Sequence, residues 1–282
     1  GAILGEAALA GRDKLTLIAD ASLRPFGSWL EQLIAESSGK QGRGIVVVDG
    51  EPVGAPSEYG DDRLFVYLRQ NGEQDAAVAR LRQAGHPVLE FPIGDAYALI
   101  PEFYRWEMAT AYACAVLGVN PFEQPDVQDN KDRTKARIVA YSQKKKLDEG
   151  NPVWERAGLR VYATQEIEGT DLAGILGAFW DAARPGDYVA INAYLPRTDE
   201  MTAVLTELRL KVRTRTGCAT TVGFGPRFLH STGQLHKGGP ATGLFLQITA
   251  DPVEDVEIPG QGLTFGVLQR CQALGDYEAL IA

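Results

Sequence analysis

Histidine, cysteine and methionine are scarce in this chain, at 3, 3 and 2 of 282 residues. Cys114, Cys218 and Cys271 lie far apart with no C-x-x-C pair, which excludes a zinc-ribbon pattern. They read as packing thiols in a reducing, cytoplasmic compartment. His86, His230 and His236 are too few and scattered for a metal cluster, so neither a metal nor an organic cofactor is expected. No stretch reaches the roughly 18 apolar residues of a membrane span; the run from Met108 to Val119 is short and helix-like. Positive charge is in deficit, with 28 Lys and Arg against 37 Asp and Glu for a net charge of -9. That balance argues against a general nucleic-acid binder, because phosphate-backbone affinity comes from clustered basic residues. A small anion can still be held locally. Also missing are a P-loop, a G-x-S-x-G elbow and a full dinucleotide fingerprint, since Gly223-Phe224-Gly225 lacks the third glycine. The first eleven residues lack both a starting Met and a basic leader and already read as helix, so the chain is expected to begin inside a longer polypeptide.

What is there is a rhythm. Strand-like runs at 14–19, 45–48, 64–68 and 88–91 alternate with amphipathic stretches at 26–35, 75–84 and 101–117. A basic helix is expected from Pro125, and its Lys144-Lys145-Lys146 run reads as a solvated face. The second half continues with strands at 160–163, 188–194, 221–224 and 243–249. Helices are expected at 171–183, 199–214, 226–236 and from Leu263. This alternation predicts an α/β fold with a mainly parallel sheet flanked by helices. Gly150-Asn151-Pro152 is the best linker, dividing the chain into 1–149 and 150–282.

Three segments carry chemistry. Glu36 stands between an apolar helical run and the turn at Gly39-Lys40, a setting in which burial would raise a carboxyl toward the range of a proton-transfer base. Gln124 and Lys131 are seven residues apart, which puts an amide and an amine on one face of a helix. His230 supplies an imidazole that titrates near neutral pH and so suits moving a proton. His236 reads as a bystander on another face, and His86 as a loop residue without a role.

Glu36-Ser37-Ser38-Gly39-Lys40 resembles the E-S-x-G-K motif of phosphoglucose isomerases. The twelve residues from Asn120 to Lys131 resemble that family's N-x-F-[DE]-Q-x-x-V-x-x-x-K signature over its whole length, and His230-Ser231-Thr232-Gly233-Gln234 resembles its H-S-x-G-Q stretch. The resemblance implies a three-layer sandwich of the sugar-isomerase (SIS) or flavodoxin-like kind with a second α/β half. It also implies interconversion of glucose 6-phosphate and fructose 6-phosphate through a cis-enediolate. By the same resemblance Glu36 is the isomerisation base, His230 opens the ring with help from Lys131, and Gln124, Ser37, Gly39 and Gln234 bind substrate.

Two departures qualify the match. The histidine segment follows the other two by about a hundred residues, whereas in ordinary members it lies between them. That order resembles the C-terminal part of bifunctional transaldolase/phosphoglucose isomerase polypeptides. The family's phosphate loop and its enediolate-steadying arginine are not recognisable, so an N-terminal sugar-phosphate-binding domain, with a transaldolase domain before it, is the expected partner. A homodimer is implied by the family, in which the histidine comes from a second subunit. The competing readings are a non-catalytic sugar-phosphate-binding or scaffold domain, and an isomerase of another phosphosugar.

Overall fold

The computed structural model describes residues 1–95, 97–164 and 167–282. The first half runs α1 (Ala2–Leu9), β1 (Lys14–Ala19), α2 (Arg24–Ser38), β2 (Val46–Val48), β3 (Arg63–Arg69), α3 (Asp75–Gln83), β4 (Val88–Pro92) and α4 (Ile100–Leu117). Then comes the long α5 (Pro125–Lys144). The second half runs β5 (Trp154–Arg156), β6 (Leu159–Val161), α6 (Leu172–Asp181), β7 (Tyr188–Tyr194), α7 (Asp199–Thr216), β8 (Ala219–Phe224), α8 (Gly233–Gly238), β9 (Gly243–Thr249) and α9 (Phe265–Leu280). Among the described residues no helix is long and apolar enough to cross a membrane.

The fold is α/β, built on two parallel sheets covered by helices. The first has strand order β2-β1-β3-β4 and the second β8-β7-β9. Both wind alike: the first strand is central, the second pairs on one side of it and the third on the other. Register is set by Lys14 opposite Val46 and Arg63, and by Tyr188 opposite Ala219 and Gly243. Strands buried on both faces need apolar side chains in both parities. In β3, Leu64, Val66 and Leu68 pack with α2 and α4, while Phe65 and Tyr67 pack with Val78 and Leu81 of α3. In β7, Val189, Ile191 and Ala193 face the α6 and α7 side, and Tyr188 and Tyr194 face α8 and α9.

The sheets meet where β2 comes beside β8, with Val46, Val48, Ala190, Ala219 and Leu235 in one cluster. Buried arginines clamp this seam. Arg63 donates to the Cys218 carbonyl (3.2 Å), Arg209 to the Asp49 carbonyl (2.9 Å) and Arg213 to the Pro52 carbonyl (2.9 Å). Glu51 balances the charge, 3.2 Å from Arg213 and 3.8 Å from Arg63. Helix α5 lies along α9.

Three elements depart from the sequence reading. The single helix expected over 226–236 is a 3-10 turn at Arg227–His230 followed by the short α8, because Ser231 breaks the helical backbone at φ -138°, ψ -87°. The strand expected at 160–163 is the second arm of a small antiparallel hairpin, β5–β6. Its turn holds Ala157 and Gly158 at positive φ, an arrangement that suits a tight hairpin and that alternation alone does not reveal. The final helix begins at Phe265, capped by Thr264, whose side chain accepts from the Val267 N–H. All three cysteines are buried and unpaired among the described residues.

Candidate functional site

The three chemistry-bearing segments converge, and the joint between them is Gln234. Its side chain is fully buried. The amide nitrogen donates to the Gly39 carbonyl at 2.9 Å and to the Asp126 carboxylate, and the amide oxygen accepts from the N–H groups of Asp126 (3.1 Å) and Val127 (3.4 Å). Two donors and two acceptor positions are thus all used internally. Gln234 is accordingly a tie between segments here, and a substrate would have to displace one of these bonds to reach it. Gly39 is equally enclosed: a Cβ on it would lie 2.3 Å from the Leu235 Cα, so only glycine lets α8 approach the end of α2 so closely. A backbone bond from the Gly42 N–H to the Gly238 carbonyl (2.9 Å) completes the joint.

α2 forms because Phe26, Leu30 and Ile34 recur every four residues and bury against the first sheet, and it ends at Gly39, whose N–H bonds to the Ala35 carbonyl. This places Glu36 and Ser37, both half-buried, in its last turn. The Glu36 carboxylate accepts from Gln32 at 3.4 Å. Lys40, just beyond, is 4 % exposed and donates to the carbonyls of Ser37 (2.8 Å) and Asn120 (2.7 Å), stapling the first segment to the second. Burial pushes the Lys40 ammonium down from its usual range, while Cys114, Glu123, Glu36 and Asp126 act in the opposite sense. Glu36 therefore lies within the electrostatic reach of a buried cation.

Gln124 is the exposed N-terminal flank of α5, its carbonyl accepting from the Gln128 N–H at 3.4 Å. Lys131, two turns in, and His230, at the end of the 3-10 turn, are exposed and line one cleft of about 160 Å³ with Val127, Asn130, Thr134 and Leu229. Glu36, Ser37 and Gln124 are not among the residues lining that cleft. Asn130, one of its lining residues, donates at 3.3 Å to the buried Asp276 carboxylate of α9, which pairs with the buried ammonium of Lys237 of α8 at 2.7 Å.

A second carboxylate was not singled out from sequence. Glu31 accepts from the hydroxyl of Ser231, the neighbour of His230, at 3.2 Å. Burial, then the nearby charge of Asp49, pushes the Glu31 carboxyl up to about 7, with Arg227, Ser231 and Arg209 acting the other way. Burial also raises Asp49, which accepts from Ser28 at 3.0 Å and sits so close to Gly27 that a Cβ there would fall 2.2 Å from its Oδ1. The signal was available: Ser28, Glu31, Ala35 and Ser38 form one stripe of α2 at i, i+3, i+7 and i+10, where a lone Glu among small residues indicates close packing. His236, by contrast, is buried among Tyr188, Phe228 and Phe245, and desolvation lowers its imidazole to about 3, leaving it neutral. His86 sits in a loop with its Nε2 3.0 Å from the Pro56 carbonyl. Among the described residues no three His, Cys, Asp or Glu side chains group as metal ligands would.

No family model matches the chain. It is 27% identical over 184 residues to a protein of Haloarcula marismortui named "Probable glucose-6-phosphate isomerase", a match covering 51% of this chain and 41% of that protein. The chain thus spans about two fifths of the length of this curated relative. A solved structure, that of a hypothetical protein from Thermus thermophilus, aligns with 99% of this chain and 72% of its own at 15% identity and a TM-score of 0.35. The sequence match, distant and partial, is a likeness to the phosphoglucose isomerase family.

Proposed function

We propose that this chain is the C-terminal part of a glucose-6-phosphate isomerase, interconverting glucose 6-phosphate and fructose 6-phosphate by ring opening and proton transfer through a cis-enediolate. The observation that carries the reading is the convergence at Gln234 of the glutamate, glutamine/lysine and histidine segments, the first and last of which are separated by about two hundred residues of chain. In this reading His230 and Lys131 act from their shared cleft on the ring oxygen. Glu36, beside buried Lys40, moves the proton between C2 and C1, while Gln124 and Ser37 face the sugar and Gly39 and Gln234 hold the assembly. Residues 1–149 form the isomerase unit and 150–282 the unit that brings the histidine, with α5 reaching across onto α9. The missing phosphate-binding portion precedes this chain, as part of a bifunctional transaldolase/isomerase polypeptide.

The test uses that complete polypeptide. Glu36→Gln should slow exchange of the C2 proton into deuterated water by on the order of 10²–10⁴, the usual loss on removing a general base. His230→Ala should slow turnover of the ring-closed sugar more than that of an open-chain analogue. Unchanged C2 exchange in Glu36→Gln would overturn the base assignment. One observation favours a second reading, a sugar-phosphate-binding domain without catalysis: Glu36 lies outside the cleft that Lys131 and His230 line. That reading predicts substrate binding but wild-type exchange rates in both variants.

A further inference from the structure

In open α/β sheets a crevice forms at the carboxyl ends of the strands where successive connections depart in opposite directions, and ligands gather there. Strand order β8-β7-β9 puts that crevice between β7 and β9. Tyr194 and Thr249, register partners, are the last residues of those two strands. Directly outside them lies a cleft of about 310 Å³, at the lower end of the ~300–1,000 Å³ usual for small-molecule sites. It shares no lining residue with the cleft of Lys131 and His230.

The polar groups of this cleft are mixed in kind. Arg270 of α9 spans it, donating to Thr249 Oγ1 at 2.5 Å and to Asp251 at 2.6 Å, with Glu149 at 3.4 Å. The Asp251 side chain is 82% exposed, so its pairing with Arg270 is weak and easily exchanged for a ligand. Glu149 is further shared with Arg160 at 3.2 Å. Asp255 lines the cleft as well, so three carboxylates stand against two guanidinium groups, which leaves no surplus positive charge to select an anion. Tyr194 is only 2% exposed, and its hydroxyl has no hydrogen-bond partner among the described residues. That hydroxyl has essentially no accessible surface and feels the buried Asp276 carboxylate, so it belongs to the packing behind the cleft wall and not to the groups that face a ligand.

From this arrangement we infer that the β7–β9 crevice binds a neutral polyhydroxylated molecule, a sugar or polyol. Vicinal hydroxyls donate to Asp251 and Glu149 and accept from Arg270, and a C–H face rests on Val267. The inference does not depend on the isomerase reading. It is tested on the full chain by titrating D-glucose, sorbitol and myo-inositol, with inorganic phosphate as the anionic comparison, using saturation-transfer NMR and calorimetry. Saturable one-to-one binding of at least one polyol is expected. Asp251→Asn should weaken it on the order of tenfold or more, whereas Tyr194→Phe, which removes a hydroxyl that no ligand in the cleft can reach, should leave it unchanged. His230→Ala, outside the crevice, should leave it unchanged. Asp251 is on the surface and Tyr194→Phe removes no internal bond, so both variants should fold, as thermal melting will verify. Three outcomes overturn the inference: no polyol binds, phosphate binds in their place, or polyol binding survives Asp251→Asn while His230→Ala abolishes it.

Discussion

The first sheet contains the same crevice as the second, between β1 and β3, but there the chain fills it with its own side chain. Asp20, directly after β1, is fully buried and accepts from the backbone N–H groups of Gln70 (2.9 Å), Asn71 (2.6 Å) and Gly72 (2.8 Å) and from the Tyr67 hydroxyl (2.8 Å). Burial pushes the Asp20 carboxyl up, yet the bonds from Tyr67 and those three N–H groups outweigh it and hold the group below the ordinary carboxylate value. At the corresponding end of β7 stands Tyr194, with an unspent hydroxyl and an open cleft beside it. Identical winding gathers polar groups at both places. What differs is whether a short acidic side chain is present at the strand end to satisfy them, which separates a structural joint from a receptacle.

The largest expected effect comes from emptying the filled crevice. Asp20→Ala leaves three N–H groups and a phenol unpaired and should destabilise the protein by about 3–5 kcal/mol in denaturant titration. Added acetate should restore part of that loss by taking the place of the carboxylate. Next, Gln234→Leu keeps the volume but strands Asp126 and the Gly39 carbonyl, and should cost about 3 kcal/mol in the same assay. A pH dependence comes third, from the face of the second sheet that also carries Tyr194. His236 has its imidazole at about 3 against a usual 6.5, so the unfolded chain binds that proton more tightly. The stability of the neutral ring is therefore present above pH 6.5 and lost as the pH falls toward 3, and His236→Leu should flatten thermal stability across that window. Glu31, held near 7 against 4.5, runs oppositely: its contribution is full below pH 4.5 and declines as the pH rises through 7, a slope that Glu31→Gln should remove. The smallest effect is the sharpest contrast with Asp20→Ala. Tyr194→Phe should change stability by less than about 1 kcal/mol, because no bond is broken.

Periodicity made the strands legible, since β1, β3 and β7 are largely apolar runs long enough to be buried on both faces. It failed at Ser231, where one backbone break divides the expected helix in two, and at β5–β6, three-residue strands too short to alternate. The convergence of the motif segments was implied by resemblance, but its means was not. Gln234 was expected to face a sugar and instead ties backbone to backbone, a difference set by its complete burial. Strand order is invisible in a linear pattern, so neither the crevice that Asp20 closes nor the one beside Tyr194 was foreseen. Glu31 escaped notice because Glu36 carried the motif. Its elevated carboxyl arises from burial and from Asp49, eighteen positions away, against the opposing bond from Ser231, two hundred positions away.

One amide at Gln234 answers simultaneously to a helix end, a helix start and the turn that follows His230. A nick or deletion in the short stretch between His230 and Gly239 would undo all the Gln234 ties together, while the Lys40 bond to the Asn120 carbonyl would still hold the end of α2 to the segment ahead of α5, so mapping by truncation would separate the two joints.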